Sequence, residues 1–206
     1  MLRQIDHDEK LEKERQTFEQ EFPGVKSQVS SGKYAEAAAQ AHQLAGTNTL
    51  YPEFAKMDGA ASQISGASDE MKKADGSLQQ ARDILRRAGH PSADAVAGVS
   101  GNWQATLEKA KQAFAGRDFT GAQNAGAQLR QSALAEAKNA VASAVKTLKE
   151  NIATLNGPGA NGKASAFVGE MDVDAGGTGA TDKEAKARLA RYQSALDALT
   201  ALFQRM

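Results

Sequence analysis

Alanine fills 41 of the 206 positions while aromatic residues make up only 5%, and this imbalance constrains the fold more than any motif. Alanine is the strongest helix former. It also carries a single methyl group, so few side chains are large enough to fill a wide gap between layers, and burial requires helices that approach closely. An all-α fold follows, either a helical bundle or a short array of antiparallel helical hairpins. At this length the chain can bury a core without metal or disulfide support.

Charge narrows the partners. Lys plus Arg and Asp plus Glu are equal at 25 each, which removes the broad positive field that a nucleic-acid binder uses. The helix faces mix both signs instead of presenting a Lys/Arg band, so a lipid surface is disfavoured as well. Cysteine is absent, which excludes disulfides, thiolate catalysis and thiolate metal sites. The stretch from Met1 to Phe22 lacks the apolar core of a secretory signal, and no segment approaches the ~18 apolar residues of a membrane span. The expectation is a soluble protein, cytoplasmic or exported without a visible cleavable signal, with no stable membrane insertion.

Periodicity places the helices. A largely charged helix is expected over Leu2 to Phe22, docking through Leu11, Phe18 and Phe22, after which Pro23-Gly24 starts a new helix or kinks the old one. A second break falls at Thr47 to Pro52. Phe54, Met57, Ala61 and Ile64 then step by three and four, and Met71, Ala74, Leu78, Ala81, Leu85 and Ala88 continue the stripe, with an interruption expected near Gly66 to Ser68. Gly89-His90-Pro91-Ser92 is the clearest boundary, because glycine suits a helix end and serine a helix start. It divides an N-terminal helical region, 1–89, from a C-terminal one, 90–206, unless the whole is one compact domain.

Beyond it, Val96, Val99, Trp103, Leu107, Ala110 and Phe114 form one stripe, which assigns Trp103 to the core. A long helix follows from Phe119, with a seam at Leu134, Val141, Val145, Leu148, Ile152 and Leu155. A final helix near Asp182 to Arg205 has a matching seam at Leu189, Tyr192, Leu196, Leu199 and Phe203. The two seams are expected to pair. The glycine-rich stretch between them, 156–181, reads as a loop.

One internal repeat emerges. At an offset of 85 residues, Phe18, Phe22, Val29, Tyr34 and Ala37 align with Trp103, Leu107, Phe114, Phe119 and Ala122. Each copy carries a glycine shortly before its third aromatic, in Gly32-Lys33-Tyr34 and Gly116-Arg117-Asp118-Phe119. The reading is a helical hairpin, closed by glycine, with Tyr34 or Phe119 packed back between the helices. Gly32-Lys33-Tyr34-Ala35-Glu36-Ala37 resembles the turn and second-helix start of tetratricopeptide repeats, and the segment at Gly116 resembles it with one extra residue. The resemblance covers 18–45 and 103–130 only, Gly24 stands near the family's leucine, and no 34-residue period is present. It implies a binding scaffold.

Candidate chemistry is sparse. Gly157-Pro158-Gly159-Ala160-Asn161-Gly162-Lys163-Ala164 nearly matches the phosphate-binding GxxxxGK[ST] loop, but alanine stands where a hydroxyl would hold magnesium and a helix precedes it instead of a strand. Glu170, Asp172, Asp174 and Asp182 alternate as calcium ligands do, yet the loop's glycine and final glutamate positions hold Ala175 and Thr181. His7, His42 and His90 sit in separate segments without a metal-ligand spacing, and are read as exposed or cap-adjacent. No serine lies in a GxSxG elbow.

No catalytic, cofactor-binding or metal-binding residue is assigned, and no cofactor is expected. The sequence reads as a non-enzymatic helical scaffold that binds another protein, with self-association left open. Its alanine, glutamine and serine richness also suits a helical region of an exported bacterial effector, toxin or surface component.

Overall fold

The computed structural model describes residues 2–97, 101–156 and 182–206, and all of its regular structure is helical. Seven helices occur among these residues: α1 (Leu2–Ser30), α2 (Tyr34–Thr47), α3 (Glu53–Ala88), α4 (Ser92–Ala97), α5 (Gly101–Ala115), α6 (Phe119–Asn156) and α7 (Asp182–Arg205). By contacts they form two units. The first comprises Met1–Lys73 with Ser100–Leu134, the second Ala74–Val99 with Ala135–Met206. This division falls within α3 and α6, and the Gly89 turn lies inside the second unit.

The first unit has an aromatic core. Phe18, Phe22, Phe54, Phe114 and Phe119 are all nearly inaccessible. Phe18 meets four rings, those of Phe22, Tyr51, Phe54 and Phe119, with centroids 5.2 to 6.2 Å apart. Trp103 is buried, as its stripe requires.

Helix α1 does not stop or restart at Pro23. It continues to Ser30, because Phe18, Phe22, Val25 and Val29 are buried on one face that spans the proline. Proline inside a helix costs ~3 kcal/mol or more, and burying a residue such as valine or phenylalanine returns ~1.5 to 3 kcal/mol each. Pro23 itself faces solvent, so the carbonyl it leaves unpaired can be hydrated.

Nor is α3 interrupted near Gly66. One of its glycines faces a close neighbour: a β-carbon at Gly59 would collide with the end of the flexible Gln123 side chain of α6, and one at Gly126 of α6 would lie 3.0 Å from the Gln63 backbone of α3, whereas Gly66 meets only ordinary contacts and Gly76 none. The stripe read from sequence holds throughout, from Phe54 to Ala88.

The second unit is built from smaller side chains: Ala74, Leu78, Ala81 and Leu85 of α3, Ala137, Val141, Ala144 and Leu148 of α6, and Tyr192, Ala195, Leu199 and Leu202 of α7. Two corrections follow. On α6 the buried line runs through alanines, with Val141 and Leu148 on it, while Leu134, Val145, Ile152 and Leu155 lie on its half-exposed flanks. On α7 the line includes Ala195 and Leu202, Leu189 and Leu196 are half-exposed, and Phe203 is 40% exposed. A leucine-weighted heptad mislocates a face when alanine supplies the close contacts.

Candidate functional site

Two helix ends in the second unit create its most structured polar arrangement. Helix α3 closes on Gly89, which takes φ +70°, with Gly89 N–H bonded to Arg86 O and His90 N–H to Leu85 O, both at 2.9 Å. This double bond pattern satisfies the last carbonyls of the helix and turns the His90 side chain inward, where it is 3% exposed. The sequence reading placed His90 beside a cap, which is its position, but its burial carries no signature in the one-dimensional pattern.

The His90 ring is held on three sides. Nδ1 accepts the Ser92 backbone N–H at 3.2 Å, which puts the neutral ring's proton on Nε2. Nε2 lies 2.8 Å from Nδ2 of the Asn151 side chain in α6; with the proton on Nε2, the pair bonds once the amide's Nδ2 and Oδ1 are exchanged, so that Oδ1 accepts from Nε2–H. The ring also meets Tyr192 of α7 edge-on, with centroids 5.1 Å apart. Burial pushes the imidazole pKa below its ordinary value.

Tyr192 is fully buried, and its hydroxyl has no hydrogen-bond partner among the described residues. Burial raises its pKa, against the opposing charges of Arg188 and Arg191. On the outer side of the turn, Asp94 of α4 lies 3.7 Å from Arg82 and 3.6 Å from Arg86.

One turn from Tyr192, α7 and the end of α3 border a groove of about 350 Å³. Ile84, Ala88, Ala195 and Ala198 make its apolar floor, and Arg87 and Arg191 stand on its edges. Both arginines are exposed. Arg87 donates to its own helix through Nε, to Asp83 O at 3.2 Å, and neither guanidinium has a carboxylate partner among the described residues.

The remaining sequence candidates stay apart. His7 is exposed on α1, and exposed His42 of α2 lies 3.2 Å from Asp58 of α3. No group of three metal-ligating side chains occurs among the described residues. The GxxxxGK-like stretch at Gly157 to Ala164, with Glu170, Asp172 and Asp174, lies outside the described residues, and Asp182 begins α7. No helix of the described residues is long and apolar enough to cross a membrane.

In the first unit, Arg117 forms a second polar feature. Its guanidinium sits 4.9 Å from the Phe22 centroid and 5.5 Å from that of Phe18, and it donates through both terminal nitrogens to the two oxygens of Glu19 at 2.7 and 2.6 Å. That pairing holds the Glu19 carboxyl below its usual range. The contacts join α1 to the α5–α6 turn and so position helices. No family model matches the chain, and no curated protein or solved structure shows similarity to it.

Proposed function

We propose that this chain is a non-enzymatic helical scaffold whose second unit binds another protein through the α3–α7 groove. The observation that carries the reading is the pairing of an apolar lining with two guanidiniums that lack carboxylate partners among the described residues. An amphipathic helix laid in a groove uses this combination, burying its apolar stripe while charges at the edge set its register. Arginine is favoured at such contacts because its planar fork bonds carboxylates in two places. The fitting partner is an acidic amphipathic helix.

Capture from the native proteome with the full chain tests this, run beside the Arg87→Glu/Arg191→Glu double variant. Both substitutions are on exposed side chains, so circular dichroism should be unchanged. A partner retained by the wild type and lost by the variant supports the groove. Equal retention by both shows that binding uses another surface.

A further inference from the structure

We infer that His90 is an acid-release latch, holding the turn and short helix from Gly89 to Ala97 against α6 and α7 at neutral pH and freeing them on protonation. Little else secures this segment. Helix α4 has six residues, well below the ~12 to 15 at which an isolated helix becomes even marginally stable. Its apolar anchors are Ala93 and Val96, and its ionic one is the exposed carboxylate of Asp94.

His90 is the buried polar anchor, and its hydrogen bonds select one protonation state. Nδ1 must be an acceptor for Ser92 N–H. A second proton would set N–H against N–H and leave a buried cation. Among the described residues no surrounding element offers that cation a free carboxylate: α3 brings Arg82 and Arg86, α4 brings Asp94 already bridged to both, and α7 brings Tyr192 flanked by Arg188 and Arg191. On α6, Asn151 is neutral, and its neighbour Glu150 is exposed and lies 4.0 Å from Lys146. Protonation therefore favours a state in which the ring leaves its site.

The sign follows from linkage. The folded pKa is depressed, so the unfolded or opened state binds more protons below the ordinary histidine value of ~6.5. The latch is fully engaged above that pH. It weakens as pH falls through ~6.5 toward the depressed value, by at most about tenfold in the opening equilibrium per pH unit for one proton.

The test uses the full chain. Hydrogen exchange of amides 89–97, corrected for intrinsic rates, is compared between pH 7.5 and 5.0 in the wild type and in His90→Asn, which keeps an acceptor near Ser92 N–H but cannot titrate. The wild type should lose protection at pH 5.0, by no more than about tenfold per pH unit below ~6.5, with the variant unchanged by pH. Imidazole titration by NMR in the wild type provides a reading independent of the variant: His90 should titrate below the ordinary histidine value of ~6.5. Titration of His90 at or above that value would overturn the latch, as would equal acid loss of protection in wild type and variant. Neither result bears on the α3–α7 groove.

Discussion

The two hairpin turns, 85 residues apart, share a backbone and divide its requirements among different residues. At the first, Gly32 N–H bonds to Val29 O and Lys33 N–H to Gln28 O; at the second, Arg117 N–H bonds to Phe114 O and Asp118 N–H to Ala113 O. Every atom pair matches at the same offset, including Ala37 N–H to Lys33 O and Ala122 N–H to Asp118 O. The residue that takes the left-handed conformation is therefore Gly32 in one turn, φ +81°, and Arg117 in the other, φ +65°. Gly116, the glycine that suggested the repeat, sits one position early. Helix starts differ too: Lys33 makes no side-chain cap, whereas Asp118 accepts the Gly121 N–H at 2.9 Å. A shared backbone thus arises from a permissive residue in one place and from side-chain bonding in the other. Such closures occur in helical hairpins generally, so they do not argue for tetratricopeptide kinship.

The largest expected difference concerns the aromatics after each turn. Phe119 is 2% exposed and touches Phe18, Phe22 and Phe114, while Tyr34 is only half-buried. Phe119→Ala should cost ~3 to 5 kcal/mol in denaturant melts, and Tyr34→Ala roughly half of that or less. Equal losses would erase the distinction.

The glycines come next. Gly32→Ala should cost ~1 to 2 kcal/mol through its left-handed backbone. Gly116→Ala meets only ordinary contacts, 3.5 Å from the Gln112 carbonyl, and should be neutral or stabilise by ~0.4 to 1 kcal/mol. A loss at Gly116 as large as at Gly32 would restore the sequence-based equivalence of the two glycines.

Caps should move stability by less, and in opposite directions. Asp118→Ala removes a cap and should cost ~0.5 to 2 kcal/mol. Lys33→Ser places a hydroxyl three residues before Glu36, completing a reciprocal cap, and should raise the thermal midpoint. An unchanged midpoint would show that the Lys33 turn cannot accept a cap.

The smallest effect belongs to Arg117. Arg117→Gly relieves a left-handed penalty of ~1 to 2 kcal/mol and loses stacking of ~0.5 to 1 kcal/mol, together with the Glu19 bond, so the net change is small. Arg117→Ala keeps the penalty and loses both contacts. The alanine variant must therefore be the less stable of the two; the reverse order would mean that Arg117 is not strained.

What was legible in the sequence was whatever rests on local pattern. The α3 stripe, the Gly89 boundary and the burial of Trp103 follow from spacing alone. Of the two readings at Pro23 the restart fails, because the local cost of proline is visible in one dimension while the burial of Phe18, Phe22, Val25 and Val29 that outweighs it is tertiary. The α6 and α7 faces rotated because leucine was weighted above alanine, although close packing uses the methyl group. The burial of His90 has no local signal because its partners, Asn151 and Tyr192, are 61 and 102 positions away. No local motif can express that convergence. The α3–α7 groove is likewise defined by faces far apart in sequence.

Trp103 has an optical consequence. It is the chain's single tryptophan, 1% exposed, inside the aromatic unit. Its emission is blue-shifted while that core stays dry and reddens when water enters, whereas far-ultraviolet ellipticity sums over the helices of both units. A melt recorded by the two signals together therefore times the aromatic half against the whole, and any lag between the curves dates the loss of the alanine half without a single label being added.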